Sequence, residues 1–271
     1  MKIEKVPTFS SGEAEDWEFF KLQLEFFFQA NFGQKVQLMS PLERHAVLML
    51  DEMSIKPALE FDASVGCIIG NSTLKDSQNR EYSLATHALV FMLRGMSTRW
   101  KQTVGYHFTG PSFCAREVKE VMFDLIIKCE KLGLSIDTVV FDMGGQNQAL
   151  WKECGIIGGK YAKTSNFCEH PCDVNRKLFF IPDTPHIMKS LRNHLTGHQS
   201  ITVPSSIVDE LGFTCKEVKI EYIKQVFDID SGNQLKLAPL LRESCLQPNN
   251  FEKMKVGLAI ALLNHQTGAA I

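Results

Sequence analysis

The sequence contains no apolar run that approaches the ~20 residues needed to cross a bilayer. Its acidic first residues also lack the basic start and apolar core of a signal peptide. The glycine-rich patterns of a phosphate-binding loop and of a dinucleotide-binding turn do not occur, and neither does the Gly-x-Ser-x-Gly turn of serine hydrolases. These absences argue against a membrane protein, against secretion, and against nucleotide or ester chemistry of those kinds.

The composition is that of an ordinary globular protein. Eight cysteines are scattered over 271 residues, which is unlike a disulfide scaffold, so we expect a reducing compartment. A formal net charge of −2 gives no overall attraction to nucleic acid. The length allows one large or two small domains with cores of their own.

Potential zinc ligands occur close together at Cys168, His170 and Cys172. A structural zinc site usually needs a second pair of ligands, and His194 and His198 are spaced to supply one. Most coincidences of this kind bind no metal, so the sequence does not predict a zinc site.

Two apolar segments end in an aspartate, residues 45–51 at Asp51 and residues 138–142 at Asp142. An ionised carboxylate beside a buried strand is costly unless it has a role. Two such carboxylates on neighbouring strands could hold Mg²⁺ ions, which clamp a phosphodiester during in-line attack. The alternative is that both are turn residues, because aspartate is favoured in turns.

The order of the predicted strands and helices indicates a fold in which these two aspartates lie on neighbouring strands. Strands are predicted over residues 46–53, 66–70, 88–95 and 100–109, followed by a helix over 112–133 with apolar residues at spacings of three and four. The strand that ends at Asp142 comes next. This order is typical of an RNase H-like mixed sheet flanked by helices, in which the first strand is adjacent to the strand that follows the helix, so we expect Asp51 and Asp142 to lie together.

The rest of the chain is predicted to be mostly helical. An aromatic helix over residues 11–33 is predicted to pack in a core or against a partner helix. A short helix is predicted over 147–154 and a strand over 177–181. Further helices are predicted at 235–241 and 253–263.

A helix start near residue 184 is a candidate anion site. The pattern predicts Thr184 as the cap and Pro185 as the first helical residue, with Lys189 a turn further on. Free N–H groups, the helix dipole and a lysine together favour a phosphate. The alternative is an ordinary capped helix with a surface lysine.

Four motifs together resemble the P-element transposase family, which includes the THAP-domain transposases. They are Leu-Met-Leu-Asp-Glu-Met-Ser at 48–54, Val-Val-Phe-Asp-Met-Gly-Gly-Gln-Asn at 139–147, Phe-Phe-Ile-Pro-Asp-Thr-Pro-His-Ile-Met-Lys-Ser-Leu-Arg-Asn at 179–193, and Asn-Asn-Phe-Glu-Lys-Met-Lys-Val at 249–256. The motifs occur in the family's order and cover roughly residues 41–271.

The resemblance implies a domain organisation. Residues 1–40 would form an N-terminal helical segment, 41–178 an incomplete RNase H-like transposase domain, and 179–271 an incomplete, mostly helical GTP-binding domain inserted into it. Asp51 and Asp142 match the first two acids of the family's DDE metal triad, which implies Mg²⁺.

The resemblance also implies a guanine-nucleotide site. Asp183 and Lys189 match a segment that contacts the nucleotide, and Phe251 with Glu252 resembles a Phe-Asp step that contacts the base. Glu252 stands where the family has Asp.

Two features of the family are missing from this sequence. No zinc-binding THAP module precedes the transposase motifs, so sequence-specific DNA recognition is not expected. The third catalytic acid should follow the insertion, and the chain ends before it. We therefore expect a truncated chain.

The resulting hypothesis is a fragment of a P-element-like transposase, with Mg²⁺-dependent DNA cleavage and strand transfer, GTP as cofactor and no activity alone. Its expected partners are transposon-end DNA, GTP and a second copy of the chain, without a membrane, and its expected location is the nucleus. One alternative is a domesticated GTP- or DNA-binding protein without catalysis. Another is a stand-alone RNase H-like nuclease in which Glu52 or Asp183 completes the site.

Overall fold

The structure, a computed structural model, describes residues 32–63, 66–80, 84–158, 163–198 and 200–271. The aromatic helix expected over residues 11–33 lies almost wholly outside the described residues and stays a prediction. The chain divides into two compact units, the first ending at Ile181 and the second running from Pro182 to Ile271.

The first unit contains a sheet and the helices that pack on it. Its elements are α1 (Gly33–Gln37), β1 (His45–Ser54), β2 (Glu60–Asp62), β3 (Cys67–Ile69), β4 (His87–Gly95), β5 (Lys101–Thr109), α2 (Ala115–Lys131), β6 (Ser135–Phe141), α3 (Gly145–Glu153), β7 (Phe167–His170) and β8 (Asp173–Pro182).

The main sheet is mixed and has six strands in the order β5-β4-β1-β6-β8-β7. β1 pairs antiparallel with β4 and parallel with β6, and β4 pairs antiparallel with β5. The first strand and the strand after α2 are therefore neighbours, which confirms the predicted RNase H-like arrangement.

The core of this unit forms where the apolar face of α2 meets the sheet. Alternate residues of β1 are buried, as expected for a strand with one covered face. The buried residues of α2 recur at spacings of three and four and share one cluster with the sheet residues; they are Val118, Met122, Leu125, Ile126 and Cys129. The ring of Trp151 on α3 lies edge-on to Phe141 of β6 and Phe180 of β8.

The strand predicted over 66–70 is confirmed as β3, although it pairs with β2 in a separate two-stranded sheet. One other expectation for this unit is wrong. Asp51 does not end its strand, because the pairing of β1 with β4 continues to Ser54 opposite His87. Asp51 is thus held on both sides by regular strand backbone.

The second unit is mostly helical, as predicted. Its elements are α4 (Thr184–His198), β9 (Ser200–Thr202), α5 (Ser205–Leu211), β10 (Glu217–Lys219), α6 (Ile220–Ser231), α7 (Glu243–Leu246), a 3₁₀ turn (Glu252–Met254), α8 (Val256–Leu262) and α9 (His265–Ala270). A separate apolar cluster packs Leu195 of α4 against α6, α7 and α8.

The helix predicted over residues 235–241 does not form. The buried carboxylate of Asp230, near the end of α6, accepts the backbone N–H groups of Leu237 at 3.1 Å and of Ala238 at 2.7 Å. These bonds satisfy the backbone without a helix. The helix predicted over 253–263 is broken into the 3₁₀ turn and α8 by the extended residue Lys255, and α5 and α6 were not predicted.

No helix among the described residues is long and apolar enough to cross a membrane.

Candidate active site

Asp51 and Asp142 come together through the register of two parallel strands. Met49 of β1 pairs with Val140 of β6. Continuing that register by two residues on each strand places Asp51 level with Asp142. Neighbouring strands lie about 4.8 Å apart, so the fold brings these aspartates side by side at the end of β6.

The two aspartates line a common cleft of about 240 Å³. The residues around it are Asp51, Glu52, Asp142, Gly144, Gly145, Gln146 and Asn147. The side chain of Asp51 is exposed and that of Asp142 is half-buried. Both predicted catalytic residues therefore meet in a space that solvent can reach.

The carboxylate of Asp142 is held by the loop and helix that follow it. Its Oδ1 accepts the backbone N–H of Gly144 at 2.9 Å and the side-chain amide N–H of Asn147 at 2.5 Å. A Cβ at position 144 would lie 3.1 Å from the same oxygen, so the loop approaches too closely for a larger residue without adjustment. Gly144 and Asn147 both belong to the motif at 139–147, but the sequence predicted no role for either of them.

Glu52 lies in the same cleft but is engaged elsewhere. Its Oε1 accepts the hydroxyl of Thr109, a buried residue at the end of β5, at 2.9 Å. The backbone N–H of Glu52 also donates to Oδ1 of Asp51 at 2.9 Å. Glu52 therefore adds negative charge near the two aspartates while its own carboxylate is tied to β5.

The donor set fits a hard divalent cation. Mg²⁺ prefers carboxylate and water oxygens and usually takes only one or two carboxylates from the protein. Asp51 and Asp142 supply two such groups in a cleft that solvent reaches. Within the described ranges, no three His, Cys, Asp or Glu side chains are close enough to hold one ion together, so the two aspartates are the ligands that the geometry offers.

The potential zinc ligand His170 has other partners. Its Nε2 donates to the backbone carbonyl of Ile136 at 3.0 Å, and its Nδ1 accepts the N–H of Cys172 at 3.2 Å. His194 and His198 lie on one exposed face of α4 with their ring centres 4.3 Å apart. Both ring nitrogens of His170 therefore have backbone hydrogen-bond partners.

In the second unit, Asp183 rather than Thr184 caps α4. The helix begins at Thr184, and Oδ2 of Asp183 accepts the N–H of His186 at 3.2 Å. The same carboxylate also pairs with the imidazole of His186. The expectation for Thr184 is wrong because Thr184 is already the first helical residue, so Asp183 is the cap and Pro185 is the second helical residue.

The other three predicted nucleotide residues lie on α4 and on the turn that faces it. Lys189 is half-buried on α4, and Phe251 is 85% exposed. The carboxylate of Glu252 accepts the N–H of Asn249 at 2.9 Å, while Asn249 Oδ1 accepts the N–H of Glu252 at 2.9 Å. The carboxylates of both Asp183 and Glu252 are therefore used in local turns.

Arg192 connects α4 to that turn. Its Nη2 donates to the carbonyls of Glu252 at 3.1 Å and of Lys253 at 3.0 Å. The side chain is fully buried, and this desolvation lowers the pKa of the guanidinium. Its Nε and Nη1 have no hydrogen-bond partner among the described residues. The sequence did not predict that Arg192 is buried. The position of Arg192 three residues before the apolar Leu195 indicates that both residues lie on the same face of the helix.

Known proteins share this architecture. Residues 25–155 match the protein family described as TNP-like, RNase H N-terminal domain. The transposable element P transposase of Drosophila melanogaster is 24% identical over 229 residues, which cover 84% of this chain and 26% of the relative. The human DNA transposase THAP9 is 23% identical over 172 residues, which cover 62% of this chain and 19% of the relative.

A solved structure agrees with the fold. The Drosophila P element transposase strand transfer complex matches with a TM-score of 0.65 at 20% identity, over 96% of this chain and 52% of that chain. The chain thus spans only about a quarter or less of the two curated relatives. It is similar to P element transposase, and its residues 25–155 match the RNase H N-terminal domain of the TNP-like family.

Proposed function

We propose that the first unit supplies two catalytic aspartates, Asp51 and Asp142, to DNA cleavage and strand transfer of the P-element type. The observation that carries this proposal is that Asp51 on β1 and Asp142 directly after β6 line one cleft, and that β1 and β6 are adjacent parallel strands. The relatives are described as transposases, and the solved relative is a strand transfer complex. Transposon-end DNA is accordingly the proposed substrate, and the nucleus is the proposed location.

Asp51 and Asp142 would hold Mg²⁺ between them. When bound, the ion would stabilise negative charge on the phosphodiester and favour deprotonation of the attacking water or 3′-hydroxyl. The aspartates would keep the ion at the open cleft, and the nearby charge of Glu52 would raise the local cation concentration. Self-association of the chain on two transposon ends is part of the same proposal.

The metal site can be tested without measuring activity. Mn²⁺ in place of Mg²⁺ can be titrated and followed by electron paramagnetic resonance. Asp51→Asn and Asp142→Asn should each weaken binding by more than about tenfold, because a direct ligand matters at least as much as an outer partner. Asp209→Asn, which removes an exposed carboxylate on α5, is the control and should bind as the unchanged protein does.

The position of the ion can be found with Fe²⁺, which cuts nearby backbone in the presence of ascorbate and peroxide. We expect cuts close to Asp51 and between Asp142 and Asn147, which disappear in Asp142→Asn. The metal site is refuted if both asparagine variants bind Mn²⁺ as tightly as the unchanged protein, or if Fe²⁺ cuts the chain elsewhere.

We further propose that the second unit binds a guanine nucleotide. Lys189 would contact phosphate, and the exposed ring of Phe251 would stack on the base. The support is that Lys189 lies three residues before Arg192 on α4, and Arg192 holds the turn that carries Phe251 and Glu252. Asp183 would fix the start of the helix, and Glu252 would fix the turn and face the guanine edge.

Lys189→Ala should weaken GTP binding about ten- to a hundredfold, since a hydrogen bond to a charged group contributes roughly 1.5–3 kcal/mol. Isothermal titration calorimetry measures this change. Lys236→Ala, which removes an exposed lysine of the same unit, is the control. The nucleotide site is wrong if folded protein binds no GTP or if the two alanine variants bind equally.

The same measurements separate the alternative functions. A domesticated binding protein would bind GTP or DNA without a metal response at Asp51 and Asp142. A stand-alone nuclease would cleave DNA with Mg²⁺ and would need a third carboxylate, for which Glu52 is the nearest candidate in the cleft.

A further inference from the structure

We propose that Asn147 is a positioning residue that orients the carboxylate of Asp142 for the metal ion. This inference rests on the proposed metal site and adds to it a residue that does not touch the ion. Its basis is the amide bond from Asn147 to one oxygen of Asp142, in a cleft that both residues line.

The two oxygens of Asp142 have different surroundings. Oδ1 receives two N–H donors, the backbone of Gly144 and the side chain of Asn147. No residue in the described part of the chain donates to Oδ2. Because both donors bind the same oxygen, the carboxylate cannot rotate freely about the Cβ–Cγ bond of Asp142. Oδ2 is therefore left for a ligand in the cleft. Hydrogen bonds of this kind commonly fix the orientation of metal-binding carboxylates.

The chemical type of the donor matters. An amide N–H is neutral, so it orients Oδ1 without cancelling the negative charge that attracts the cation. A lysine or arginine at the same place would form an ion pair with Asp142 and compete with the metal. Asn147 therefore combines orientation with retention of charge.

The amide itself is held by a rigid support. Asn147 lies in the first turn of α3, and the neighbouring Gln146 joins this turn to the loop before α2. Gln146 Nε2 donates to the carbonyl of Pro111 at 2.5 Å, and its Oε1 accepts the N–H of Phe113 at 3.2 Å. The later part of α3 is anchored by the aromatic contacts of Trp151. The donor is thus placed before any metal arrives.

The experiment compares Asn147→Ala with a matched neighbour. Gln148→Ala removes an amide of the same helix that donates to the carbonyl of Met143 at 3.0 Å and not to Asp142. Mn²⁺ affinity is measured by electron paramagnetic resonance, and the melting temperature is measured without metal. We expect Asn147→Ala to bind Mn²⁺ about 10–100-fold more weakly, and Gln148→Ala to bind it unchanged.

A purely structural role would lower the metal-free melting temperature of Asn147→Ala and leave the Mn²⁺ affinity of its folded fraction intact; that result overturns the inference. The hydroxyl of a serine at position 147 is too short to reach Asp142, so Asn147→Ser should lose as much Mn²⁺ affinity as Asn147→Ala. It replaces the alanine variant in the test if that variant does not fold. Unchanged affinity in Asn147→Ala together with weakened affinity in Asp142→Asn rejects the inference alone. Failure of the unchanged protein to bind Mn²⁺ rejects the proposed metal site and this inference with it.

Discussion

His107 is a buried titratable residue of the first unit, with only 3% of its surface exposed. Its Nδ1 lies 3.1 Å from the hydroxyl of Thr73, a bond that the neutral ring can form. Burial disfavours the charged imidazolium and lowers the pKa of His107 to about 4. The folded protein therefore holds this ring neutral at pH values where the unfolded chain takes up a proton.

We predict that acid destabilises the fold through His107. The unfolded pKa is about 6.5, so the stability is fully present above that pH and is lost as the pH falls toward 4. Between pH 6.5 and 5 the free energy of unfolding should fall by about 2 kcal/mol, at ~1.4 kcal/mol per pH unit. Urea unfolding at several pH values measures the slope.

His107→Gln keeps a polar side chain without a titrating proton, and its stability should lose most of this pH dependence. His265→Gln, which removes an exposed histidine of the second unit, should keep the slope. A slope that survives in His107→Gln would assign the acid sensitivity to other groups.

Three elements of the first unit are joined by one arginine. Arg176 on β8 donates to both oxygens of Glu130, near the end of α2, at 2.8 and 2.9 Å. It also donates to Oδ1 of Asp137 on β6 at 2.6 Å. Desolvation opposes ionisation of Asp137, but the bonds from Arg176 and Ser135 outweigh it and lower the pKa of this carboxyl. The cluster fixes the start of β6 relative to α2 and β8.

We predict that Arg176→Gln lowers the free energy of unfolding by about 2 kcal/mol, because it removes several charge-assisted bonds and leaves Glu130 short of partners. Arg116→Gln is the control. Arg116 is 3.9 Å from Glu153 and mostly exposed, and pairs of that kind contribute about 0–1 kcal/mol. Chemical denaturation compares the two; equal losses would show that the cluster adds nothing beyond a surface ion pair.

At the scale of the whole molecule, the described residues offer two ligands for an ion rather than a complete triad. A site with few charged ligands holds its ions weakly and orients them poorly. We therefore predict that the purified chain neither cleaves nor joins transposon-end DNA at a useful rate. The measurement is cleavage of labelled DNA with Mg²⁺ or Mn²⁺.

Strong Mg²⁺-dependent cleavage that is lost in Asp142→Asn would contradict this prediction and show that another residue completes the site. Glu52→Gln would then be the first variant to test, because Glu52 lines the same cleft.

The sequence alone determined the central sheet and its two aspartates. Apolar strands and the 3–4 spacing of α2 are local patterns, and the order of elements places β1 beside β6, so the meeting of Asp51 and Asp142 follows from short-range information and topology. The second unit was less predictable. A helix was expected over 235–241, but the carboxylate of Asp230 takes up the backbone N–H groups there, and that contact exists only after the chain has folded.

Only the tertiary structure decided how the polar groups around the candidate sites are used. The carboxylates of Asp183 and Glu252 accept hydrogen bonds from nearby backbone N–H groups. Arg192 on α4 is buried and donates to a turn about 60 residues away. The side chain of Asn147 donates to one oxygen of Asp142. Whether such hydrogen bonds form depends on differences of a few tenths of an ångström in the donor–acceptor distance, and on burial of the groups. Sequence spacing reports neither, whereas the periodicity of apolar residues directly reports which face of an element is buried.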